Sequence, residues 1–109
     1  MSYQDIRKLV LTARSMIDGS MGIVKGCRRV CQLRYGTPDM DDEIFDPFVA
    51  VESQTDDYPL EEERARYAAD YLKELDQKVS NYVEEVRPRV LEACQHLVER
   101  YETKNGSSG

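Results

Sequence analysis

The sequence contains no tryptophan, two phenylalanines and one histidine, His96. Nucleophilic catalysis needs a nucleophile, a base and an orienting group. A lone histidine late in a helical pattern, with no evident partner, supplies none of these roles. The chain reads as a non-enzyme with no catalytic residues and no cofactor. Three cysteines are an odd count, and none sits in a CxxC pair. Reduced thiols in a cytoplasmic protein are the simplest account. No apolar run approaches the roughly eighteen residues of a membrane span. Met1-Ser2-Tyr3-Gln4-Asp5 has neither a basic nor an apolar leader, so no secretory signal is expected. A net charge of −6 lacks the basic excess of a nucleic-acid binder.

What is present is a strongly divided charge pattern. Residues 1–38 carry seven basic and two acidic side chains, and residues 64–109 carry eight of each. Residues 39–63 carry eleven carboxylates and no Lys, Arg or His, together with Phe45, Phe48, Pro47 and Pro59. At 109 residues the chain is one domain, expected over 1–104, with 105–109 a flexible tail.

The flanking segments are helical in pattern. Apolar or small residues at Ile6, Leu9/Val10, Ala13, Met16/Ile17, Ser20, Ile23/Val24, Cys27 and Val30/Cys31 recur at steps of three and four. This predicts a first arm over 3–35 with a weak point near Gly19, or two helices if Asp18-Gly19-Ser20 stops one and caps another. Gly19, Gly22 and Gly26 would share one face of the unbroken helix. Gly36-Thr37-Pro38 ends the arm. A second arm over 64–103 follows Ala68, Tyr71/Leu72, Leu75, Val79, Tyr82/Val83, Val86, Val90, Ala93/Cys94, Leu97 and Tyr101, kinked at Pro88. The expected fold is all-α: two long antiparallel arms, or a four-helix bundle if both weak points break. The acidic, aromatic middle segment closes it.

Within that segment, Ile44, Phe45, Phe48, Val49 and Val51 are expected to fold back over the arms. Thr55-Asp56-Asp57-Tyr58-Pro59 has the composition of a turn, and residues 60–64 open the second arm. A long, ordered connection is also where function concentrates. A calcium loop is not formed, since the spacing Asp39-Asp41-Glu43 lacks the sixth-position glycine and the twelfth-position glutamate. A zinc set of Cys27, Cys31, Cys94 and His96 fails because Cys94 and His96, two apart on a helix, point different ways. No metal site is therefore assigned, although a carboxylate metal-binding enzyme is a third functional reading. Arg28, Arg29 and Arg34 are expected to pair with the neighbouring carboxylates.

The blocks Gly26-Cys27-Arg28-Arg29-Val30-Cys31-Gln32-Leu33-Arg34 and Phe45-Asp46-Pro47-Phe48-Val49-Ala50-Val51-Glu52-Ser53-Gln54-Thr55-Asp56-Asp57-Tyr58-Pro59, with Leu91-Glu92-Ala93-Cys94-Gln95, resemble a family of small bacterial helical proteins of unknown function. Gln54, where an acidic residue is usual, and Arg66-Tyr67, near a usual tryptophan, depart from that pattern. In size and style the chain is similar to immunity proteins that neutralise polymorphic toxins. The expected function is accordingly a cytoplasmic protein-binding module, an immunity-type inhibitor of a basic, nuclease-like toxin. The expected contact residues are Asp41, Asp42, Phe45, Glu52, Asp56, Asp57, Tyr58, Glu61 and Glu62. A homodimeric adaptor joined on the glycine face is the alternative. Neither nucleic acid nor membrane is an expected partner.

Overall fold

A computed structural model describes residues 3–106, with side chains through 102. Every regular element among the described residues is helical. Helix α1 spans Tyr3–Asp18, α2 Ile23–Leu33, α3 Asp46–Gln54 and α4 Ala69–Gly106. Short 3-10 turns lie at Arg34–Gly36, Glu43–Phe45 and Glu61–Arg66. Residues 107–109, the end of the expected tail, lie outside the described residues, and α4 continues through Gly106.

The first arm is two helices, not one. Gly19 adopts a left-handed φ of +86°, a conformation that ends α1 without the strain another residue would feel. The break is closed locally. Ser20 N–H donates to Asp18 Oδ1 at 2.8 Å, and Met21 N–H to the Ser15 carbonyl at 3.1 Å. Gly22 then caps α2 in extended conformation. The expected three-glycine face is thereby undone. Gly19 and Gly22 lie in the turn, and only Gly26 is helical, with Met16 packed directly over it. Thr37 closes the far end of α2 by donating its hydroxyl to the Arg34 carbonyl at 2.8 Å.

The second arm stays whole across Pro88 but starts later than expected, at Ala69. The reason lies in Arg64, whose guanidinium forks onto Asp76 at 2.8 and 3.0 Å. That contact pulls residues 61–66 back alongside α4 as a separate turn, with Glu61 at a φ of +52°.

Helix α1 packs antiparallel on the C-terminal half of α4: Arg14 pairs with Glu102, while Met16 Sδ lies 3.7 Å from Cys94 Sγ. α2 folds back against α1, and α3 packs chiefly on α2. The core joins Leu9, Ala13 and Met16 of α1 with Cys27 and Val30 of α2, Phe48 and Val51 of α3, and Val90, Cys94 and Leu97 of α4. Helix α4, 38 residues long, sets the long dimension of a molecule measuring 53 × 24 × 24 Å.

Candidate functional site

The acidic segment does form the cover expected of it, through a helix. Pro47 stands in the first turn of α3, where its missing N–H costs nothing. Phe45, Phe48 and Val51 are at most 1% exposed. Phe45, expected as a partner anchor, is instead a core residue. Its ring lies at the third turn position of Glu43–Phe45 and points inward with Phe48.

Insertion of α3 divides the carboxylates into two groups. The leading group adjoins the C-terminal half of α4. Tyr101 donates to Asp39 Oδ2 at 2.9 Å, and Asp42 Oδ1 accepts from Ile44 N–H at 2.9 Å with Arg100 at 3.4 Å. The Ile44 N–H and then Arg100 hold the Asp42 carboxyl below its usual range. The trailing group adjoins α2 and the N-terminal half of α4. Glu61 pairs with Lys25, and Tyr58 donates to Asp76 Oδ1 at 2.6 Å. Arg64 first, then Tyr58, lowers the Asp76 carboxyl.

The three arginines do not act as expected. Arg28 donates to the carbonyls of Thr55 and Tyr58, and Arg34 donates to the carbonyl of Met40 and stacks over Tyr35. Among the described residues no ion pair involves Arg28, Arg29 or Arg34. The turns after α2 and α3 leave main-chain carbonyls without helical donors, and a guanidinium beside them satisfies several at once. The carboxylates thus stay largely available to solvent.

The leading group forms one wall of an open groove of about 720 Å³. Asp42, Glu43 and Asp46 stand on that wall with Ile44 and Pro47, while Glu92, Glu99, His96, Ala93, Arg89 and Arg100 of α4 form the other. Five carboxylates therefore face two guanidiniums. Of the expected contact residues only Asp42 lines this groove. Asp41 is exposed nearby, whereas Asp56, Asp57 and Glu62 are exposed in the trailing group. Glu52 is half-buried, and its charge adds to the burial that raises the Cys31 thiol. Tyr58 is half-buried and committed to Asp76. The nine expected residues do not make one surface. Glu43, Asp46, Glu92 and Glu99 were missed, and Glu92, His96 and Glu99 at i, i+4 and i+7 were a readable signal of a shared helical face.

The cysteines lie elsewhere. Cys27, Cys31 and Cys94 are free and buried, and burial first pushes Cys31 and Cys94 up to about 12 and Cys27 further. His96 is exposed on the groove side while Cys94 is in the core, so the two do not converge. Among the described residues no group of three His, Cys, Asp or Glu is placed to hold a metal ion. No described helix is long and apolar enough to cross a membrane. No family model, no curated protein and no solved structure matches this chain.

Proposed function

We propose that this chain is a non-enzymatic protein-binding module that presents carboxylates to a basic partner. Within that class we read it as a cytoplasmic immunity-type inhibitor of a nuclease-like toxin domain. One observation carries the reading: five carboxylates stand on the two walls of the groove between residues 42–47 and α4. The walls are rigid, because Phe45 and Phe48 anchor one in the core and Val90, Ala93 and Leu97 anchor the other. Binding then costs little ordering of the receptor. The apolar parts of the two walls, Ile44, Pro47 and Ala93, suit the aliphatic stems of Lys and Arg, whose charged heads meet the carboxylates. A basic nuclease cleft would be drawn to such a surface by long-range attraction.

The test first asks whether a basic nuclease domain is encoded beside this chain; its absence there counts against the toxin part of the reading, and its presence supplies the probe. Stopped-flow association should slow by about tenfold or more between low and moderate salt, as steered encounters do. Glu92→Gln with Glu99→Gln and Asp46→Asn should slow association and relieve inhibition of the nuclease. Association indifferent to salt and to all three substitutions would remove the groove from the reading.

A further inference from the structure

We propose that two copies of this chain associate about a twofold axis through the N-terminal half of α4, with Leu75 at the centre of an antiparallel helix contact. The apolar stripe of α4 has two fates along its length. Val90, Cys94, Leu97 and Tyr101 are at most 3% exposed. Leu72, Leu75 and Val79 continue the same spacing but are only half-buried and lie outside the core cluster. No residue from 69 to 89 is buried. Tyr67 and Tyr71, 44% and 46% exposed, stack at 5.6 Å at the same end of the helix.

Among the described residues, no other element buries Leu72, Leu75 or Val79.

Charge selects a second copy over other faces for self-association. A twofold interface sets a patch against itself, so a patch dominated by one sign repels its own image. The −11 segment at 39–63 and the +5 segment at 1–38 are both disfavoured on that ground. Residues 64–80 carry four basic and three acidic side chains, a net of +1. The most central of these acids, Asp76, is already matched within its own copy by Arg64 and Tyr58. An antiparallel overlay centred on Leu75 sets Leu72 of one copy against Val79 of the other. It also brings each Tyr71 ring to the Lys78 ammonium of the other copy, a cation–π arrangement. This surface is separate from the groove, so dimerisation and partner binding do not compete.

Sedimentation equilibrium of the full chain tests the proposal. The wild type should be dimeric, and Leu75→Glu should be monomeric with its helical circular dichroism and melting temperature retained. The groove variants Glu92→Gln and Glu99→Gln should stay dimeric. Independently of whether Leu75→Glu folds, mild oxidation of Leu75→Cys should give a disulfide-linked dimer, while Gln77→Cys on the opposite face should not. A wild type that is monomeric at its highest soluble concentration, a dimer that survives Leu75→Glu, or equal cross-linking of the two cysteine variants would each overturn it.

Discussion

Tyr101 and Asp39, 62 positions apart, meet in a 2.9 Å hydrogen bond from the phenol to the carboxylate. The bond ties the first carboxylate of the acidic segment to a buried residue of α4, next in sequence to Arg100 of the groove wall. Burial, and then Asp39, holds the Tyr101 phenol above its ordinary range, which keeps it a donor at neutral pH. Tyr101→Phe keeps the ring and removes only the donor to a charged acceptor, which should cost about 1–2 kcal/mol in urea unfolding. An unchanged midpoint would mean the bond contributes nothing in solution.

Burial of the three thiols should lower stability at alkaline pH. Cys31 and Cys94 stand at about 12 in the fold against an ordinary 9.0, and Cys27 is raised in the same sense, each chiefly by burial. A raised value means the fold favours the neutral thiol. Their contribution is fully present below pH 9.0 and is lost as pH climbs toward 12. Stability from urea titrations should therefore be nearly level from neutrality to about pH 8.5 and fall steeply beyond. A thiol reagent at pH 8 should modify none of the three unless the chain unfolds. Rapid modification of the native protein would contradict the packing around Met16 and Cys94.

These thiols also show what the sequence made legible. Cys27, Cys31 and Cys94 sit at seam positions of a helical pattern, and they pack as that pattern predicts. The all-helical class followed from the same three- and four-residue steps. The break at Gly19 was visible as an alternative, but choosing it depends on the turn hydrogen bonds of Ser20 and Met21, which no local propensity ranks. Helix α3 was hidden because Asp46-Pro47 reads as a breaker when it is in fact a helix start. Phe45 was read both as cover for the arms and as a partner contact, and its inward place in the turn leaves it only the first. The groove was hidden for a different reason: its walls are fifty residues apart in the chain, and only Glu92, His96 and Glu99 announced a shared face.

Gly26 is required by Met16. A Cβ at position 26 would collide with the Sδ and Cγ of that side chain, which is 2% exposed. Gly26→Ala should destabilise by about 1–3 kcal/mol, the usual penalty of overpacking. Met16→Ala opens the space that the new methyl needs. The double variant should therefore be more stable than the two separate losses imply, by about 0.5 kcal/mol or more in a thermodynamic cycle. Strict additivity would place Met16 elsewhere than over Gly26.

Arg28 separates two ways of holding the acidic segment. Pairing with carboxylates would make its removal sensitive to salt and would let lysine replace it. The observed bonds instead run to the main-chain carbonyls of Thr55 and Tyr58, where α3 ends. Arg28→Ala removes the donor to the Tyr58 carbonyl, while the Thr55 carbonyl keeps the Tyr58 N–H, and should cost about 1–3 kcal/mol. Arg28→Lys should recover less than half of this, because an ammonium cannot reproduce the planar fork. The loss should change little with added salt, and amide exchange should quicken around residues 55–60 ahead of the core helices. Full rescue by lysine, or a loss that salt abolishes, would return Arg28 to the charge-pairing role.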